Sequence, residues 1–542
     1  MAPGAKTNTK DDLQAAAAQP PLVPAGGLDV PPSPQRLEVE SFPGESRLPE
    51  DERDRQLVLH FALPRTIMTC DMSAGRSTET ELNEVLSEMA WGSLDSTSGE
   101  WVLESQTPSL DPPSETVINY AEYVARSFPS DASTVPDEEE QRQNQEAAAA
   151  KRAVFTNAGE PGADFRPFFE QMVKSLAITN KTLAKAYDIK KPILDEQDVP
   201  EDPSRTDAQA IMRYGRHQVL PAFWQLLVSL TKKRRYFKLV LRSFSQEQLL
   251  VMQRELQLFC QGQHPAHCGQ NKTQKPPLMN GEKNSRDMRL ADGFIGHVDR
   301  TKGQLEFTCL GPVAQAESSA PSEVLGATPA QPPGPTIYAF PPFHEAYAGL
   351  QEQVLALANT VALVDDYAYW QQNKKVATAG KLFLVDHAGG LAETKVQHIF
   401  FDGAIGQHDA RCIDVRDVVD GESLPLPEVN GMFLHHVDLY RASTEDEYFI
   451  TALEACERKM SQQILQSRHV ATPLESTAAA SASPQGNEEE KQTHKEWLNR
   501  NIIPALLPAM EACQRDRPAD PIEFIAFYML RHRGQYSKSL KG

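Results

Sequence analysis

A set of short apolar segments, each with the length and composition of a buried β-strand, most constrains the fold. Longer amphipathic stretches with helical periodicity separate these segments, and strands that alternate with helices form parallel sheets covered on both faces. The predicted strands are residues 56–62, 237–243, 304–310, 381–386, 397–402 and 411–416, and the predicted helices are residues 78–90, 166–188, 206–231, 245–261, 345–371 and 444–466. We therefore expect a three-layer α/β domain built on a parallel sheet.

A long interval separates the first two predicted strands. Residues 68–236 are far longer than the single crossover helix that commonly joins parallel strands. We expect this interval to form a cap-like insertion above the carboxyl ends of the strands, where open α/β sheets bind ligands. Its composition leaves open whether the insertion is one subdomain.

Changes in composition mark the borders of the α/β domain, which we place at residues 53–466. Residues 1–52 are rich in alanine, proline and charge, which predicts a disordered arm. Residues 467–492 are rich in serine, alanine and glutamate, which is typical of a flexible linker. Inside the domain, the predicted loops or insertions are residues 129–152, for which an exposed helix is the alternative, 269–290 and 312–336.

The charge of the chain limits its partners. With 542 residues it exceeds one ordinary domain, and its formal net charge is −20. A general nucleic-acid binder needs a basic face, so we expect no direct binding of nucleic acid. The basic run 232–235 is interpreted as the end of a helix, with a nuclear-import signal as the alternative. The longest apolar stretch, 219–230, is too short to span a bilayer, and residues 1–30 lack a signal-peptide pattern, so we expect no membrane partner.

Four side chains able to bind a metal lie close together in the sequence. Cys260, His264, His267 and Cys268 could hold zinc, but their spacing matches no standard site. A loop with incidental ligands is the favoured interpretation, and zinc is the alternative. The seven cysteines are otherwise scattered without CxxC spacing, which fits a reducing compartment. We expect no cofactor.

The segments that end the predicted strands resemble, in order, the motifs of the haloacid dehalogenase superfamily. Residues 57–66 (LVLHFALPRT) are similar to its first motif, a strand ending in Asp-x-Asp-x-Thr, and residues 239–243 (LVLRS) to its second. Lys381, or alternatively Lys395, is similar to the third-motif lysine. Residues 398–403 (HIFFDG) are similar to the fourth motif, which normally ends in two acids. The resemblance spans about residues 54–425 and implies that family's fold with a cap-like insertion.

The resemblance also implies a site without its reactive groups. The family's nucleophilic aspartate becomes an aspartyl phosphate, and its second aspartate acts as acid and base. Ala62 and Pro64 occupy those positions here, and neither can perform the step. Mg²⁺ prefers several oxygen ligands, and Asp402 stands beside Gly403 rather than a second acid. The implied vestigial phosphate pocket comprises Thr66, Ser243, Lys381 and Asp402.

Three interpretations of this region remain. The first is a non-catalytic pseudo-phosphatase that serves as a scaffold, with no catalytic residue and no metal. The second is ordinary buried strands, with Ser243 at a strand end and Asp402 capping a turn. The third is a functional phosphate site, either an anion sensor or a weak phosphohydrolase that uses Asp71 as nucleophile.

The C-terminal segment reads as two short amphipathic helices. Arg517-Pro518 breaks the pattern between them, and Asp520, Pro521 and Glu523 form the start signal of the second helix. A helical pair this small cannot bury its own apolar faces, so it needs a second copy or a partner. The residues assigned to dimerisation and docking are Leu498, Ile502, Ile503, Leu506, Leu507, Met510, Pro521, Ile522, Phe524, Ile525, Ala526, Met529 and Leu530.

This segment, residues 493–535, resembles the Dpy-30 motif. The resemblance rests on Leu498, Ile503-Pro504, Leu506-Leu507, Met510, Arg517-Pro518 and the run Pro521–Leu530. It implies a homodimeric four-helix bundle whose groove receives an amphipathic helix of a partner protein. A helical hairpin packed on its own domain is the alternative. Pro508, inside the first helix, predicts a kink.

Together these features lead us to expect a non-catalytic adaptor. The resemblance implies two settings for it. One is cytoplasmic, in a ciliary, flagellar or cytoskeletal complex, which the acidic chain and its large accessory domain favour. The other is nuclear, as a subunit of a Set1-type histone methyltransferase complex.

Overall fold

The computed structural model describes residues 55–71, 75–130, 134–189, 191–196, 205–264, 276–307, 335–387, 395–406 and 410–470, together with residues 506, 508–510, 512, 515 and 528. Two compact units divide the chain, Met1–Ala471 and Thr472–Gly542. The first unit is a mixed α/β structure, and the strand and helix bounds below belong to it.

The strands of the described residues form three sheets. They are β1 (Gln56–Ala62), β2 (Trp91–Leu94), β3 (Trp101–Leu103), β4 (Ile118–Asn119), β5 (Phe237–Ser243), β6 (Ile295–Asp299), β7 (Gln304–Phe307), β8 (Thr336–Ala339), β9 (Thr360–Val364), β10 (Lys381–Val385), β11 (Val396–Asp402), β12 (Ile413–Asp417) and β13 (Leu434–His436). The largest sheet has the order β13-β11-β1-β5-β9-β6-β7-β8. Its strands from β13 to β6 are parallel, and β7 and β8 add an antiparallel edge. The smaller sheets are the parallel pair β10-β12 and the antiparallel β3-β2-β4.

The helices connect and cover these strands. They are α1 (Thr78–Met89), α2 (Tyr120–Ser127), α3 (Glu138–Ala153), α4 (Arg166–Leu176), α5 (Lys181–Ala186), α6 (Asp207–Met212), α7 (Pro221–Lys232), α8 (Gln246–Cys260), α9 (Phe343–Ala348), α10 (Leu355–Leu357), α11 (Tyr367–Gln372), α12 (Leu426–Val429), α13 (Leu439–Thr444) and α14 (Tyr448–Val470). A π-helix, Gly349–Val354, joins α9 to α10.

Both faces of the large sheet are buried, because successive side chains of a strand point to opposite faces. On β1, Leu57, Leu59 and Phe61 pack into one apolar cluster, which includes side chains of α7, α8 and α14. Val58 packs on the other face, with Val354 and other residues near the π-helix. The described unit thus has the layered α/β arrangement that its apolar segments predict.

The inserted residues between β1 and β5 share the core of the sheet. Trp101 of β3, Phe155 and Phe169 belong to the same apolar cluster as Leu59 of β1. Helix α3 is largely exposed, with Ala148 as its buried residue. Residues 129–152 therefore contain the solvent-exposed helix proposed as an alternative to a loop, and Asp137 caps its start.

Most predicted elements match the observed ones, but the predicted helix 345–371 is wrong. It contains β9, whose sequence TVALV is rich in β-branched residues and buried between β5 and β6. The predicted helices 166–188 and 206–231 are each divided in two, and Pro221 starts the second half of the latter at the first helical position. The basic run 232–235 begins at the last residue of α7, as its interpretation as a helix end requires. In the part of the chain that the structure describes, no helix combines the length and apolar character needed to cross a membrane.

Candidate functional site

The strand order of the large sheet reverses beside β1. The chain first adds β5, β6 and β9 on one side of β1 and then returns to add β11 and β13 on the other side. Open α/β sheets bind ligands at such a reversal, outside the carboxyl ends of the strands. Here that position lies between the ends of β1 and β11, where Thr66 and Asp402 were expected to belong to one pocket.

Thr66 and Gly403 close the space at this reversal. The Gly403 backbone N–H donates to Thr66 Oγ1 at 2.9 Å, and Thr66 Oγ1 donates to the Pro64 carbonyl at 3.1 Å. A Cβ on Gly403 would overlap the carbonyl oxygen of Arg65. The turn after β1 therefore fills the place of any side chain at position 403, including the second acid that the predicted fourth motif would need there.

Lys381 and Asp402 form a buried ion pair beside this contact. Lys381 Nζ lies 2.7 Å from Asp402 Oδ2, and the side chains are 3% and 1% exposed. Burial alone would lower the pKa of Lys381, but attraction by Asp402 outweighs it and raises the pKa above its usual value. Asp402 Oδ1 also accepts from the Ala404 N–H at 2.8 Å. The lysine is held by its own carboxylate partner, so an incoming anion would compete with Asp402.

Ser243 has other partners. Its hydroxyl donates to Gln248 Oε1 at 3.3 Å and accepts from the Ser245 N–H at 3.0 Å. These bonds tie the end of β5 to the start of α8. The structure thus brings three of the four predicted pocket residues together: Lys381 pairs with Asp402, and Thr66 accepts from the backbone of Gly403, the residue after Asp402. Ser243 instead bonds within the turn between β5 and α8. Ala62 is fully buried, in an apolar cluster with Phe400.

A cluster of acids and arginines, not predicted from the sequence, covers the end of β1. Arg65 Nε lies 3.3 Å from Glu81 Oε2, and Arg65 Nη2 lies 3.0 Å from Glu88 Oε1. Arg76 also pairs with Glu81, and lies 3.4 Å from Glu84 Oε2. Burial raises the pKa of Glu81 to about 7, despite both arginines. The spacing of Glu81, Glu84 and Glu88 on one face of a predicted helix was the signal that could have revealed this cluster.

Asp71, the alternative nucleophile, belongs to the same cluster. Arg76 Nη2 donates to Asp71 Oδ2 at 2.7 Å, and the two backbones are paired across the turn. The Asp71 side chain is therefore engaged by a cation within its own loop rather than presented to a substrate.

The four candidate zinc ligands are only partly described. His264 Nε2 lies 2.5 Å from Glu255 Oε2. Burial raises the pKa of the Cys260 thiol. His267 and Cys268 lie outside the described residues. Within the described ranges, no group of three or more His, Cys, Asp or Glu side chains is arranged to hold a metal ion.

The C-terminal unit is described at seven positions. Leu506, Pro508, Ala509, Met510, Ala512, Arg515 and Tyr528 are all helical. Ala509 and Ala512 are buried, whereas Met510 is 50% exposed. The other predicted docking residues lie outside the described residues: Leu498, Ile502, Ile503, Leu507, Pro521, Ile522, Phe524, Ile525, Ala526, Met529 and Leu530.

Comparison with known proteins gives a match for the C-terminal segment. No solved structure matches the chain. The family model of the Dpy-30 motif matches residues 493–534, which lie within the segment predicted to dimerise and dock.

Proposed function

We propose that this protein is a non-catalytic adaptor that forms homodimers through residues 493–534 and binds an amphipathic helix of a partner protein. The match of that segment to the Dpy-30 motif carries the proposal. Such a motif indicates dimerisation and docking, because two short helices cannot bury their apolar faces by themselves.

The exposure of Met510 supports a docking surface in this segment. It is a large apolar side chain on a helix, half exposed next to the buried Ala509. Methionine is frequent at surfaces that accept varied apolar partners, because its side chain is unbranched and polarisable. The partner we propose is a helix with apolar residues at positions i, i+3, i+4 and i+7.

The first unit acts in this proposal as a scaffold derived from a haloacid dehalogenase-like phosphatase. Its parallel sheet and the position of Asp402 at the strand reversal support that origin. Its lack of catalysis is supported by Ala62 and Pro64, which replace both reactive acids, and by the overlap that any side chain at position 403 would make with Arg65. Lys381, the lysine of the proposed vestigial pocket, is already paired with Asp402.

A ciliary, flagellar or cytoskeletal complex in the cytoplasm is the setting we propose. The net charge of −20 and the large first unit favour it over a small subunit of a chromatin complex. The alternative is a Set1-type histone methyltransferase complex in the nucleus. Fluorescent tagging of the full chain separates the two: axonemal or cytoskeletal signal supports the first, and nuclear signal supports the second.

The docking proposal is tested by affinity capture with the full chain as bait, followed by mapping of each captured protein to a binding segment. We expect a partner segment with a helical apolar stripe that binds directly as a synthetic peptide. The variant Leu507→Asp should lose this peptide, because a charge on the apolar face is costly to bury. Val376→Asp is the matched control, since Val376 is 48% exposed in the first unit. Peptide binding that survives Leu507→Asp would reject the proposed groove.

A further inference from the structure

A basic turn, residues 232–236, leads from helix α7 into strand β5. Two of its cations are paired with glutamates of α14. Lys233 Nζ lies 3.1 Å from Glu454 Oε1, and Arg235 pairs with Glu457. These two pairs attach the turn to α14.

The remaining side chains of the basic turn face solvent. Lys232 and Arg234, which alternate with the two paired cations, are exposed, and the Tyr236 side chain is 48% exposed. In the part of the chain that the structure describes, no carboxylate lies within ion-pair distance of Lys232 or Arg234. The turn thus presents positive charge beside an exposed aromatic ring.

Two further cations lie against the ring of Tyr236. The guanidinium carbon of Arg286 is 4.4 Å and Lys238 Nζ is 5.8 Å from the ring centre. Both bind neutral groups: Arg286 donates to the Phe237 carbonyl at 2.6 Å, and Lys238 donates to the Ala358 carbonyl at 3.2 Å. Burial and the charge of Arg286 lower the pKa of Lys238 to about 8. An acidic segment on the turn would offset this repulsion between like charges.

The chain carries an acidic run next to this turn. Residues 50–52 are Glu-Asp-Glu, and β1 begins four residues later at Gln56. β1 starts beside the turn, because the Leu57 N–H donates to the Tyr236 carbonyl at 3.1 Å. Four residues extend at most about 14 Å, so the acidic run is within reach of the turn.

The sequence before the acidic run also suits the turn. Residues 48 and 49 are Leu-Pro, which supplies apolar groups that can cover an exposed aromatic ring. A short tether gives the run an effective concentration of about a millimolar at the turn. A second copy of the chain or an acidic partner would have to compete with it, so these observations favour the chain's own segment.

We propose that residues 48–52 dock on the basic turn, with the three acids facing Lys232 and Arg234 and with Leu48-Pro49 against Tyr236. This contact holds the end of the N-terminal arm at the edge of the large sheet where β1 and β5 begin. An acidic partner protein could bind the same surface only by displacing the arm. The proposal concerns the first unit and does not depend on the docking function.

The test is carbodiimide coupling of the full chain, which joins a lysine amine to a carboxylate that it contacts, followed by peptide mass spectrometry. We expect an amide between Lys232 and an acid of residues 50–52. Arg234→Glu leaves the Lys232 amine in place but repels the acids, and should lower the yield roughly two- to fivefold. The yield of the unmodified chain should also fall in about 1 M KCl, where the Debye length is about 3 Å.

Lys374→Glu is the matched control, because Lys374 is exposed and has a positive φ of 56°, close to the 54° of Arg234. It makes the same change in net charge and should leave the yield unchanged. Absence of the Lys232 amide would overturn the proposal. So would a yield that is insensitive to both Arg234→Glu and KCl, which the tether alone explains.

Other occupants of the turn give distinct results. Coupling of Lys232 mainly to residues 488–490, the Glu-Glu-Glu run of the predicted linker, would replace the proposed segment with another. Coupling between labelled and unlabelled chains in a mixture would assign the turn to a second copy. Either result would overturn the proposal. If Arg234→Glu does not fold, the KCl series on the unmodified chain still decides whether charge holds the contact.

Discussion

The backbone of Gly403 lies directly against the carbonyl group of Arg65, which joins the ends of the two central strands β11 and β1. Arg65 reaches this position with a positive φ of 57°, a conformation that is uncommon for residues other than glycine. The contact occupies the place where the strand order reverses and where a ligand of such a sheet would bind. The turn after β1 therefore closes the crevice at this point.

Replacing Gly403 should destabilise the first unit. Gly403→Ala forces a Cβ against the Arg65 carbonyl, and overpacking of this kind costs about 1–3 kcal/mol. Denaturant unfolding followed by circular dichroism measures the loss. Gly99→Ala is the comparison variant: it meets no atom within 4 Å and bears only the strain of its positive φ, about 1–3 kcal/mol. A Gly403→Ala variant as stable as the unmodified protein would contradict a closed crevice.

The Lys381–Asp402 pair should behave as a coupled unit. Lys381→Met leaves a buried carboxylate without its cation and should cost about 3–5 kcal/mol. Adding Asp402→Leu should recover part of this loss, because both charges are then absent. Thermal unfolding of the two single variants and the double variant provides the cycle.

The exposed pair Lys302–Asp299 is the control for that cycle. Lys302 is 69% exposed, so Lys302→Met should change the free energy of unfolding by less than about 1 kcal/mol. Additive losses from Lys381→Met and Asp402→Leu would show that the buried pair is not coupled.

Self-association should depend on the C-terminal segment. The chain has a mass of 60.1 kDa, and we expect light scattering to report a dimer. Leu507→Asp or Ile525→Asp should give monomers, because each places a charge on an apolar helical face. Circular dichroism of these variants should still report a folded first unit, and Val376→Asp should remain dimeric. A monomeric unmodified chain at micromolar concentration would refute the dimer.

Phosphatase activity should be absent. We expect no turnover of p-nitrophenyl phosphate with Mg²⁺, since Ala62 and Pro64 cannot act as nucleophile or acid. Ala62→Asp should remain inactive because Pro64 and Gly403 persist. Turnover that Asp402→Asn or Asp71→Asn abolishes would establish catalysis by a different route.

His60 of β1 and His398 of β11 are buried side by side, with His60 Nε2 3.1 Å from His398 Nδ1. This pair should make the first unit sensitive to acid. Burial lowers the folded-state pKa of His398 to about 3, whereas an exposed histidine in the unfolded chain has a pKa near 6.5. Below about pH 6.5 the unfolded state therefore binds the proton more readily, so this stabilisation is present above pH 6.5 and is lost as the pH falls towards 3. His398→Gln should reduce the loss between pH 6.5 and 4.5, measured as Tm against pH. Identical pH profiles for the two chains would contradict the buried neutral histidine.

Local pattern was sufficient for strands in which apolar residues predominate. Residues 56–62 and 237–243 were predicted with the observed bounds, because each has a central apolar run and is buried on both faces of the sheet. β9 was missed because TVALV lies between helical segments without glycine or proline to separate it, so periodicity alone merged it into a helix.

The candidate site was predictable in part. Thr66 follows β1 and Asp402 ends β11, so their proximity follows from the order of the large sheet. Lys381 begins β10 in a separate sheet, so its contact with Asp402 does not. The role of Ser243 in a turn depends on Gln248, and the Arg65–Glu81 pair depends on where α1 packs, so neither could be derived from spacing alone. The docking segment was predicted from helical periodicity and capping signals, and its match to the Dpy-30 motif is confirmed.

The pairing of β1 with β5 and β11 determines when the central strand can fold during synthesis. β1 leaves the ribosome before both neighbours, which begin at Phe237 and Val396, so the central strand lacks its second partner until residue 396 and those after it are synthesised. Such distant pairings slow folding and keep apolar strands exposed in the meantime. We therefore expect the nascent chain to depend on chaperones until β11 emerges.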